Sequence, residues 1–139
     1  MNRNEANALI QAFFRHCQTS SPGLNQNNFG AASVGEGQIY WEFQSANNHL
    51  LCSALIYRFT KPARPALLKE CHNECANGAD SGGGWLDYQE ANQGLFLSRA
   101  YSKSPAPAEF IAQQQELLRA SLWWSREVLD RVADKVVGK

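Results

Sequence analysis

The segment SGGGWLDYQEANQGLFLSRAYS, Ser81 to Ser102, decides the fold. Gly82, Gly83 and Gly84 bring the chain in, and an alternating stretch follows. Glu90-Ala91-Asn92-Gln93-Gly94 turns it, and Leu95 to Tyr101 returns as a second strand. The segment is a well-marked β-hairpin with no evident nucleophile, metal ligand or phosphate cradle. Gly82 to Gly84 could suggest a phosphate loop, but such a cradle leads from a strand into a helix. Here the glycines lead from a helix into Trp85, so they read as a lead-in to a strand.

Upstream of the hairpin, Ala66 to Ala76 reads as a short helix with Leu67, Leu68, Cys71 and Cys75 on one side. Pro65 suits its first turn and Asn77-Gly78 its stop. Before it, Gln38-Ile-Tyr-Trp-Glu-Phe43 is aromatic and β-branched and predicts a strand. Ser45 to His49 is its turn, and Leu50 to Phe59 is a partner strand, apolar enough to be central in a sheet. Asn25 to Gly37 reads as Asn/Gly-rich loop holding a short strand near Phe29–Val34.

At the N-terminal end, Leu9, Ile10, Phe13, Phe14 and Cys17 recur at helical spacing, predicting a helix over Glu5 to Gln18 capped by Asn4. Thr19 to Gly23 stops it. Downstream, Ser104-Pro-Ala-Pro107 opens a helix from Ala108 to Val137, roughly 45 Å long at 1.5 Å per residue. Ile111, Leu118, Leu122, Leu129, Val132 and Val136 form its stripe, widened by Trp123 and Trp124. Adjacent helical residues diverge by about 100°, so at most one of the two Trp lies at the centre of the buried stripe. The order is α-β-β-(β)-α-β-β-α. It predicts an α+β fold, an antiparallel twisted sheet packed with helices, in one domain over residues 1–139.

Composition bounds the function. Hydrophobic residues make up 44% and charged residues 19%, as in a folded chain. Lys+Arg and Asp+Glu are 13 each, so no basic stripe argues for nucleic acid or anionic lipid. The N-terminal stretch carries Glu5, Arg15 and His16 through its apolar part, unlike a signal peptide, and no run is long enough to span a bilayer. A cytoplasmic setting, no membrane association and four reduced thiols are the expectation.

Cys71-His72-Asn73-Glu74-Cys75 is the one cluster of metal-ligand types. Structural zinc usually draws ligand pairs from distant segments, and His16, Cys17, His49 and Cys52 show no paired spacing. Core thiols are the better reading, with no metal and no cofactor. No local pattern supports a Cys/His nucleophile. Asp130 and Asp134, interleaved with Arg126, Arg131 and Lys135, read as a solvated helix face. No enzyme is predicted.

The segment from Leu67-Leu68 through Asn77-Gly78-Ala79-Asp80, Gly83-Gly84-Trp85-Leu86-Asp87 and Gln93-Gly94-Leu95-Phe96-Leu97-Ser98-Arg99 resembles the class I type III secretion chaperones. A Trp about halfway along the last helix also fits that family. The likeness covers roughly Gln38 to Val132. Family members are typically acidic, whereas this chain is neutral. The resemblance implies a cytoplasmic homodimer that holds an extended segment of a secreted effector protein in an export-competent state. It implies client contacts in grooves between the first helix and the sheet, partly by an added strand. Ile10, Phe13, Phe14, Tyr40, Trp41 and Phe43 are candidates, about half of them expected to be core instead. It implies a dimer interface on the middle helix, with Leu67, Leu68, Cys71 and Cys75 as candidates. The competing reading is a non-catalytic adaptor or immunity-type protein that binds one folded partner.

Overall fold

The computed structural model describes residues 1–19 and 23–137. Helix α1 spans Arg3–His16. Its cap is Asn2, two residues before the predicted Asn4. The Asn2 side chain accepts from the Glu5 amide at 2.8 Å, and the Glu5 carboxylate accepts from the Asn2 amide at 3.0 Å. This reciprocal pair satisfies two otherwise orphaned donors and fixes the start. The predicted stop, Thr19 to Gly23, falls partly on residues 20–22, outside the described residues.

Strands β1 (Phe29–Val34), β2 (Gly37–Gln44) and β3 (His49–Arg58) form an antiparallel meander. Helix α2 (Pro65–Ala76) follows, then the hairpin of β4 (Trp85–Gln89) and β5 (Gly94–Tyr101), joined by a single 3₁₀ turn at Glu90–Asn92. The sheet order is β1-β2-β3-β5-β4, so the hairpin enters with β5 beside β3 and leaves β4 on an edge. The predicted α+β architecture and element order are those observed.

The glycines before β4 are close-approach positions as well as a lead-in. Gly82 has φ +64°, and a Cβ there would meet the backbone of Glu116 and Leu117 at 2.9 Å. At Gly84 a Cβ would collide with the Ser98 carbonyl. Only glycine lets the hairpin pass so close to the last helix and to its own partner strand.

The last helical run is α3 (Pro107–Trp123), a π-helical turn at Trp124–Val128, and α4 (Leu129–Val137). Residues spaced by four drift about 40° per step around an α-helix. The wider π turn takes up that drift, so Trp124, Val128 and Val132 all face inward and are buried. The run therefore stays against the sheet and α2 rather than projecting. Glu74 on α2 takes Arg131 of α4 through two hydrogen bonds of 3.2 Å, with Lys135 at 3.6 Å. Trp124 Nε1 donates to the Asp80 carbonyl at 2.9 Å, tying the loop after α2 to the same helix.

Candidate functional site

Alternation along β2 assigns the sheet's two faces. Ile39, Trp41 and Phe43 lie on one, Tyr40 and Glu42 on the other. Helices α1 and α3 pack on the first. Phe13 and Phe14 meet the Trp41 ring edge-on at 5.7 and 5.5 Å, and Trp41 Nε1 donates to Gln114 Oε1 of α3 at 3.0 Å. Gln114 is itself fully buried and reaches Tyr101 Oη at 3.4 Å.

This packing corrects the expected client groove. Ile10, Phe13, Phe14, Trp41 and Phe43 are all buried. The space between α1 and the sheet is filled by the protein's own aromatic side chains. Of the six candidates only Tyr40 lies on the other face, where it is half-buried.

No helix covers that other face among the described residues. It carries a recess of about 170 Å³, walled by Phe29, Tyr40, Leu51 and Phe96 and rimmed by Glu42, Arg58, Gln89 and Asn92. Phe29 is 48% exposed on the edge strand β1, while Phe96 is buried edge-on beneath Tyr40 at 5.9 Å. The floor is polar and internally satisfied. Ser53 and Ser98 hydroxyls share a 2.9 Å hydrogen bond, and Ser98 donates to Asp87 at 2.8 Å. The sequence reading missed this site. The signal was present in the alternation of Phe29, Tyr40 and Leu51, but each was read within its own strand.

A second surface lies where α2 meets β4. Leu68 lines a depression of about 440 Å³ with Pro62, Ala63, Pro65, Tyr88 and Glu90. Tyr57, Phe59 and Tyr88 stack edge-on alongside, at 4.9 and 6.1 Å. Of the four candidate interface residues, Leu67, Leu68 and Cys75 are half-buried. Cys71 is fully buried in the protomer core, which takes it off the surface. Burial, with Cys75 and two carboxylates nearby, pushes the Cys71 thiol up to about 11; burial alone dominates at Cys52 and also raises it. Such thiols are protonated and poor nucleophiles. Among the described residues no three His, Cys, Asp or Glu converge on a metal position, and no helix is long and apolar enough to cross a membrane.

The fold is shared with proteins solved in complexes. It matches a chain of the crystal structure of the ExsC–ExsE complex with a TM-score of 0.69, covering 91% of this chain and 96% of that one at 14% identity. It matches a chain of the HopA1–SchA chaperone–effector complex with a TM-score of 0.65, covering 88% and 94%, again at 14% identity. At that identity the likeness is one of fold. It is the fold implied by the resemblance to class I type III secretion chaperones. No family model matches the sequence, and a search of curated proteins finds no match.

Proposed function

We propose that this protein is a cytoplasmic, non-catalytic chaperone that binds an extended segment of a secreted effector protein and keeps it export-competent. The observation that carries this reading is the fold, shared over 88% of the chain with a chain of a chaperone–effector complex. Two physical features support it. The sheet is layered by helices on one face, so its other face keeps an apolar recess. Among the described residues its edge strand β1 has no strand on its outer side; the Phe29 backbone is already bonded to Asn25, and the edge beyond it can take an added strand.

Each large apolar side chain buried by a client contributes about 1.5–3 kcal/mol. Ordering a disordered segment costs about 2–5 kcal/mol. Several anchors must therefore engage at once, which suits a long segment running over β1 and the open face. We propose further that the working form is a homodimer joined through Leu67, Leu68 and Cys75 of α2 and the adjoining Tyr57–Phe59–Tyr88 stack, the commonest symmetry for such an assembly being two-fold.

The test is affinity capture from the native cell with mass spectrometry, followed by an export assay of the captured protein in cells lacking the chaperone. The reading predicts one dominant secreted partner whose export falls sharply in its absence. Unchanged export, or turnover of a small molecule by the purified protein, would overturn it.

A further inference from the structure

The open face of the sheet carries unbalanced charge beside its recess. Glu42, half-buried on the rim, is bonded among the described residues only to the Gln44 side-chain amide, at 3.4 Å. Asp87, on the same face, accepts from Ser98 at 2.8 Å and from Gln89 at 3.1 Å, all neutral donors. Among the described residues neither carboxylate has a cationic partner. Arg58, the cation at the far end of the recess, is already engaged. It donates to the Asn92 carbonyl at 2.8 Å and lies 5.9 Å from the centroid of the Phe96 ring. A carboxylate half-withdrawn from water among Phe29, Tyr40 and Leu51 is stabilised by any cation that reaches it.

We propose that this face takes a protein segment that seats one large apolar side chain in the recess and places a Lys or Arg against Glu42. The recess volume, about 170 Å³, sets the first part. A cavity of roughly 150 Å³ is enough to hold a benzene ring, so the recess accepts one aromatic or one long aliphatic side chain. Charge complementarity sets the second part. On an extended segment, side chains two residues apart share a face and lie about 6.6–6.8 Å apart. A Phe and a Lys in that relation can occupy the recess and meet Glu42 together. The proposal deepens the chaperone reading by naming the chemistry of its client, and it rests on that reading only for who the client is.

The probes are two synthetic peptides, one of Ser-Phe-Ser-Lys repeats and one of Ser-Phe-Ser-Glu repeats, titrated into the isotope-labelled protein and followed by NMR. The Lys peptide should shift the resonances of Tyr40, Leu51 and Phe96 and bind about fivefold tighter than the Glu peptide, the preference shrinking with salt. Glu42→Lys should erase the preference, and Glu42→Gln should reduce it; neither removes a buried contact, and unchanged spectra elsewhere will show the fold intact. Equal binding of the two peptides, a preference that survives Glu42→Lys, or shifts that map to other surfaces would overturn the proposal. So would a second copy on this face, seen as a change in sedimentation with Glu42→Lys and no peptide shifts. Unchanged export in cells lacking this protein, with the peptide preference intact, would sink the chaperone reading and spare this one.

Discussion

Trp41 is the residue at which helix, sheet and polar network meet. Its ring lies against Phe13 and Phe14, and its indole N–H is satisfied by a glutamine that is itself completely buried. An unsatisfied buried donor costs about 1–3 kcal/mol. Gln114→Leu removes the acceptor while keeping the volume, so it should lower the stability by about that amount in urea unfolding; no loss would mean that Trp41 finds another partner. The sequence made the aromatic run at Tyr40–Phe43 plain, and with it the strand. The alternation separates Ile39, Trp41 and Phe43 from Gln38, Tyr40, Glu42 and Gln44, but it does not say whether the apolar register meets the protein's own helices or a partner. Only the placement of α1 and α3 decides that Ile39, Trp41 and Phe43 become core while Tyr40 stays at the surface. Asn2 was missed for a similar local reason. Asn2 and Asn4 are both good caps, and it is Glu5, three residues after Asn2, that completes the box.

At the scale of elements, α2 is held to α4 by the Glu74 cluster. The hydrogen bonds from Arg131, with its charge and that of Lys135, hold the Glu74 carboxyl below its ordinary range against the opposing effect of burial. A folded-state value below the unfolded one stabilises the protein above the unfolded carboxylate range, and that stabilisation is lost as the pH falls through the folded value. The wild type should therefore exceed Glu74→Gln in stability at neutral pH, with the gap closing in acid; thermal unfolding across a pH series measures it. A gap that widens in acid would contradict the assignment. The last helix shows what periodicity can and cannot carry. Its existence and length were legible from Ala108 to Val137, but the π turn was not, since a widened turn has no residue signature in Trp124–Val128. The stripe leaves out Val128 within the turn, and also Leu117 and Ser121 in the regular helix before it, all buried. Helix α2 was placed within a residue, yet Cys71 and Cys75 parted company: one is core and the other lies near the surface. If Leu68 belongs to a dimer interface, Leu68→Asp should raise the dimer dissociation constant at least tenfold, about 1.4 kcal/mol, by sedimentation equilibrium. An unchanged dimer would move the interface elsewhere, and a monomeric wild type would remove it.

For the whole molecule, the β4–β5 hairpin has a structural use without chemistry of its own. Its β5 strand completes the centre of the sheet. Through Phe96, Gln89 and Asn92 the hairpin as a whole supplies one side of the open-face recess. The α+β class and element order were legible because each element has its own punctuation: Pro65, Asn77-Gly78, the glycines before Trp85, and Pro107. The open face was not, because it is assembled from residues on different strands whose proximity depends on the order β1-β2-β3-β5-β4. We propose that this face and the β1 edge hold a client segment that has no structure of its own. Hydrogen exchange on the captured client, free and bound, tests that most directly. We predict a contiguous segment that exchanges at the unfolded rate when free and becomes protected in the complex, with matching protection at β1 and around Tyr40 and Leu51 of this protein. A client equally protected in both states, engaged as an already folded domain, would contradict it.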